Sequence, residues 1–134
     1  MANVWEGSDK ATLDKVRQIE DPRARLRALF AEAMSSERAH GLYIALSLSP
    51  SPRVSTCLRR VNERRLLLLS ESYRELGMAD EAAQQQALLT YSAYIGGVHL
   101  RRSDAPWLRE SSDVNAYVEH AARALVDPPQ KKRR

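Results

Sequence analysis

The stretch Ala87-Leu88-Leu89-Thr90-Tyr91-Ser92-Ala93-Tyr94-Ile95-Gly96-Gly97-Val98-His99-Leu100 decides the fold. Wound at the helical period it presents two stripes. Leu88, Tyr91, Tyr94, Ile95 and Val98 form a bulky one, and Leu89, Ser92, Ala93, Gly96, Gly97 and Leu100 a small one. Adjacent glycines inside a helix cost about 1 kcal/mol each relative to alanine. A helix that keeps them needs a compensation, and the close approach of another backbone supplies one. The spacings Ser92 to Gly96 and Ala93 to Gly97 set small residues one turn apart, as a close helix crossing requires. The alternative is a kink or a loose helix end.

Downstream, residues 101–110 read as a loop containing Pro106. Ser112 or Asp113 is then placed to cap a last helix ending at Asp127-Pro128-Pro129. Its apolar face carries Val114, Tyr117, Val118, Ala121 and Leu125. With the preceding helix it predicts an antiparallel pair, and two such pairs across a twofold axis make a four-helix bundle. A homodimer is therefore expected, joined through Leu89, Ser92, Ala93, Gly96, Gly97, Leu100, Tyr117, Val118, Ala121 and Leu125.

Upstream, the pattern predicts helices over 9–18, 22–34, 37–48, 52–76 and 80–100. Ser8 or Asp9 is the expected cap of the first, whose stripe is Leu13, Val16 and Ile19; Asp21-Pro22 opens the second. Leu26, Leu29, Phe30 and Ala33 are its buried face. Ser49-Pro50-Ser51-Pro52 ends the third helix and starts the fourth. Leu66 to Leu69 point to nearly all sides, so the fourth helix should be central and covered all round; Gly77 closes it. The fold class is all-α, with about six helices.

The 134 residues fit one domain over 1–129, followed by a basic disordered tail at 130–134. Lys131, Lys132, Arg133 and Arg134 are four of the 21 basic residues; without them 17 basic residues face 17 acidic ones. A neutral body lacks the footprint of a nucleic-acid-binding face. The single cysteine, Cys57, excludes an intramolecular disulfide and fits a cytoplasmic protein. No apolar run is long enough to span a membrane.

Four stretches then carry a resemblance. They are Asp21-Pro22-Arg23-Ala24-Arg25-Leu26-Arg27-Ala28-Leu29, Leu58-Arg59-Arg60-Val61-Asn62-Glu63-Arg64-Arg65, Tyr73-Arg74-Glu75-Leu76-Gly77-Met78 continuing through Ala87-Leu88-Leu89-Thr90-Tyr91, and Gly97-Val98-His99-Leu100-Arg101-Arg102-Ser103-Asp104-Ala105-Pro106. In order and spacing the chain resembles, from Trp5 to Pro129, the C-terminal ligand-binding and dimerisation domain of tetracycline-repressor-like (TetR) transcriptional regulators. The resemblance implies a homodimer, an unidentified small-molecule effector, and a repressor whose ligand moves the first helix. It departs from the family in having no room for the N-terminal helix-turn-helix, so operator DNA is expected as a partner only through a missing N-terminal domain. It departs again at Ala79, where a capping serine is common and where Asp80 is expected to serve instead.

A regulator pocket is apolar with a few polar handles, and tyrosine supplies both. Tyr43, Tyr91 and Tyr94, with Met34 and His40, are the candidate lining. An enzyme is not expected: no phosphate loop or nucleophile elbow is present, and Glu37-x-x-His40 lacks the second motif that a di-iron site needs. No cofactor or metal is expected. Two other readings stay open, a natural headless helical dimer that pairs with full-length regulators and a small helical enzyme.

Overall fold

A computed structural model describes residues 2–35, 43 and 45–126. Most of the predicted 37–48 helix, His40, and the 130–134 tail lie outside them. The fold is all-α. In chain order come α1 (Ala2–Arg17), α2 (Pro22–Ser35), α3 (Pro52–Glu75), α4 (Asp80–Arg102) and α5 (Ser111–Ala121). A π-helical turn, Ala122–Val126, continues α5.

The local signals act where short-range chemistry decides. Asp21 Oδ2 accepts from the Ala24 N–H at 3.2 Å and opens α2 ahead of Pro22. Gly77 takes φ 105°, and the Gly77 and Met78 N–H groups close α3 onto the Arg74 and Tyr73 carbonyls. Other caps differ from expectation. α1 begins at Ala2, seven residues before Asp9, so neither Ser8 nor Asp9 is a cap. Ala79 holds the cap position of α4 without a side-chain bond, and Asp80 is its first helical residue. Glu110 holds the cap position of α5, and its N–H donates to Asp113 Oδ2 at 3.0 Å; α4 itself runs two residues past Leu100.

α3 is the axis of the molecule. It packs most extensively on α4 and also carries α1 and α2. Its inward row, Cys57, Val61, Arg65, Leu69 and Tyr73, repeats every fourth residue and is buried throughout. The main core joins Leu69 and Tyr73 of this row to Leu26, Phe30 and Met34 of α2, to Ala87, Tyr91, Tyr94 and Val98 of α4, and to Val114 and Ala121 of α5, while Cys57 and Val61 form a separate cluster with Tyr43, Leu46 and Leu58. The cover of α3 is not complete. Leu67 is 51% exposed, and with Leu66, Ala87 and Leu88 it walls an open groove of about 350 Å³ between α3 and α4.

The two glycines of α4 have different surroundings. A Cβ on Gly97 would stand 2.9 Å from Tyr117 Cε2 and 3.4 Å from Met34 Sδ, so the close approach that this glycine permits is made by the chain's own α5 and α2. Gly96 has nothing within 4 Å of that position. The Tyr117 hydroxyl donates to the Ala93 carbonyl at 3.1 Å, and its ring packs on Phe30. Tyr73, fully buried, shares a 2.7 Å hydrogen bond with Thr90 and donates to the Leu125 carbonyl at 3.0 Å. Gln86 donates to the same oxygen, so the π-turn's carbonyl anchors the C-terminal element to α3 and α4.

Two substitutions test this packing. Tyr73→Phe removes the buried hydroxyl that joins Thr90 to the Leu125 carbonyl and leaves Gln86 as that oxygen's donor, with an expected cost of about 1 kcal/mol in urea denaturation. Gly97→Ala gains helix propensity but pushes on the Tyr117 ring, with an expected net loss of roughly 1 kcal/mol.

Candidate functional site

The tyrosines picked out by sequence meet around a residue that was not. Arg65, at the middle of the buried row of α3, has Tyr43, Tyr91 and Tyr94 rings with centroids 5.6, 5.8 and 5.6 Å from its guanidinium carbon. Its Nη1 donates to the Tyr91 and Tyr94 hydroxyls at 3.2 and 3.4 Å. Asn62, one turn earlier on α3, accepts from the Tyr91 hydroxyl at 2.6 Å and the Tyr43 hydroxyl at 3.1 Å. α4 brings Tyr91 and Tyr94 to the same place because they lie three residues apart on its inward face.

The charge on Arg65 is balanced by Asp9 of α1. Arg65 Nε and Nη2 both donate to Asp9 Oδ1, at 2.9 and 2.6 Å. Asp9 Oδ2 is buried with no hydrogen-bond partner. Burial opposes the Arg65 charge, but Tyr94, Tyr91 and Asp9 around it outweigh that and hold its pKa above the ordinary arginine value. Burial pushes both phenols up, Tyr94 to about 12, against the pull of Arg65; both are neutral hydrogen-bonding groups at physiological pH.

A second carboxylate lies one turn before Asp9. Glu6 accepts from Arg60 Nε and Nη2 at 2.8 and 2.9 Å and from Arg64 Nη2 at 2.8 Å. These hydrogen bonds hold its carboxyl well below the usual range. Cys57 leans on Glu6 at 3.5 Å; burial and then that carboxylate push its thiol up, so it is a poor nucleophile. Among the described side chains, the apolar part of the α1 seat is Leu13 and Val16 against Leu68 and Leu29. At the other end of α1, Arg17 pairs with Glu71 at 2.7 Å. The hinge after α1 is fixed by Arg25, which donates to the Ile19 and Glu20 carbonyls, to Ser72 and to Glu75.

Of the expected pocket, Tyr91 and Tyr94 are buried and Tyr43 is half-buried, all three at Arg65. Met34 is elsewhere in the main core, 1% exposed, and its carbonyl accepts from Arg101 at 2.7 Å. His40 lies outside the described residues. Of the expected dimer surface, Leu89, Ser92, Gly96 and Leu100 face outward and Ala93 is half-buried. Gly97 and Ala121 are buried within the chain, and Tyr117, Val118 and Leu125 pack against its core. That part of the surface serves α5's own attachment, because α5 covers α2 and α4 with its one apolar face. Sequence reasoning missed Arg65, Asp9, Glu6, Arg60, Arg64 and Asn62. The signal for Arg65 was its place in the four-residue repeat of apolar positions.

Among the described residues no group of three or more potential metal ligands is present, and no helix is long and apolar enough to cross a membrane. Comparison with protein-family models, curated proteins and solved structures found no match to this chain.

Removing Arg65 alone strands a buried carboxylate. Arg65→Leu is expected to cost about 3–5 kcal/mol, and the Asp9→Leu/Arg65→Leu double variant to recover most of it in a denaturation cycle. The Glu6 pKa is depressed in the folded state. Its contribution is present above the unfolded value near 4.5 and is lost as pH falls toward the folded one. Glu6→Gln should therefore flatten the fall in stability below about pH 4.5, measured by urea midpoints across acid pH.

Proposed function

We propose that these residues form the effector-sensing and dimerisation domain of a small-molecule-responsive regulator of the TetR-like kind. The observation that carries the reading is the seat of α1. This helix is held on α3 by ion pairs beside the apolar contact of Leu13 and Val16 with Leu68, next to three tyrosines, Tyr91 and Tyr94 of α4 and Tyr43. A helix held in that way has two accessible positions, and a ligand that binds them unequally shifts the population. In the resemblance, α1 corresponds to the helix that connects sensing to DNA reading. The domain is assigned sensing and pairing, and operator recognition is assigned to none of its described helices.

Pairing is placed on the outer face of α4. Leu89 and Leu100 are 55% and 50% exposed there, with Ser92 and Gly96 between them. An apolar face with no charged side chain between positions 82 and 100 is suited to a second copy of itself. Gly96 has the open space above it that a crossing helix would fill.

Light scattering on the purified chain is expected to give twice the mass of one chain. Leu89→Glu and Gly96→Arg should each give a monomer with unchanged helical circular dichroism. A wild-type chain that stays monomeric at high concentration would remove the pairing half of the reading.

A further inference from the structure

The row Arg60, Arg64, Arg65 on α3 meets two carboxylates from α1, Glu6 and Asp9. It grades from solvent to core, with side chains 50%, 29% and 9% exposed in that order, and its buried end meets the tyrosines. The pairing within it is imperfect at two atoms. Among the described residues, Arg64 Nε is a buried donor with no acceptor, and Asp9 Oδ2 is a buried acceptor with no donor. Arg65 directs both Nε and Nη2 onto a single oxygen, whereas its fork matches a carboxylate that offers both. The two defects at Asp9 are relieved if it leaves and a carboxylate that offers Arg65 both oxygens enters.

We propose that the effector of this domain is a small organic carboxylate with an apolar body, and that Asp9 holds its place on Arg65 when it is absent. The incoming carboxylate takes Arg65 through two oxygens, and its apolar body lies among the rings of Tyr43, Tyr91 and Tyr94. Asp9 is released to water, and α1 loses one of its ties to α3. The exchange keeps the buried arginine neutralised in both states. It also makes the first helix compete directly with ligand, so binding and displacement are one event. The proposal rests on the ligand-sensing reading above and adds the chemistry of the ligand and the residue it replaces.

The test is calorimetric titration of the full chain at fixed ionic strength with acetate, hexanoate and benzoate. Benzamide serves as the neutral counterpart of benzoate. Hexanoate and benzoate are expected to bind, with acetate weaker and benzamide silent. Asp9→Asn removes the competing charge and is expected to tighten benzoate binding about tenfold, the weight of one charge-assisted hydrogen bond. Arg65→Lys keeps a charge but loses the fork, and should weaken benzoate at least as much while the chain stays folded by circular dichroism. Equal binding of benzamide and benzoate would overturn the carboxylate assignment and leave ligand sensing standing. Absence of any carboxylate binding to both the wild type and Asp9→Asn would overturn it as well, with the pairing measurement judged separately by light scattering.

Discussion

A guanidinium does not give up its proton in a protein interior, so an arginine at the centre of a buried row dictates what surrounds it. Arg65 is such a residue. It draws Asp9 across from α1, turns two hydroxyls of α4 toward itself, and is enclosed by a third ring from the 43–47 region. Much of the remaining core is apolar packing. The Arg65 contact is directional, and it fixes the register of α1 on α3 and of α4 on α3 together. Charge and ring geometry thus do in the interior what shape alone does elsewhere in the core.

The helices themselves were legible wherever sequence chemistry is local. Asp21-Pro22, Pro52 and Gly77 mark ends that depend on a few bonds, and those ends are where they were read. α1 was misread because Ser8 and Asp9 are residues that favour caps. There the helix continues through them, because Glu6 and Asp9 are held by arginines more than fifty positions away. Leu66 to Leu69 misled in a different manner. Four successive leucines must point in all directions, but among the described residues the neighbours of α3 do not cover every side, and Leu67 is left half in water. For Gly96 and Gly97, composition could not divide two adjacent glycines between an inner and an outer face; Tyr117 does so, by occupying the space above only one.

The candidate site was half legible for a related reason. A tyrosine on an apolar stripe already announces a hydroxyl that must find a partner indoors. What the partner would be could not be read from α4. Arg65 falls in a run of charged residues, and only its four-residue spacing from Val61 and Leu69 separates it from Arg60 and Arg64. The carboxylate that completes it belongs to the first helix, at a sequence distance no local pattern spans. Local signals set out the order of the helices but not this ion pair.

Cys57 gives the α1 seat an internal clock. Its sulfur lies between Glu6 of α1 and the apolar side chains of Tyr43 and Leu46, and it is the sole thiol in the chain. Alkylation of that sulfur by an added maleimide must wait until this cover opens. The trapping rate therefore counts openings at this end of α3, with no label engineered and no background from other thiols.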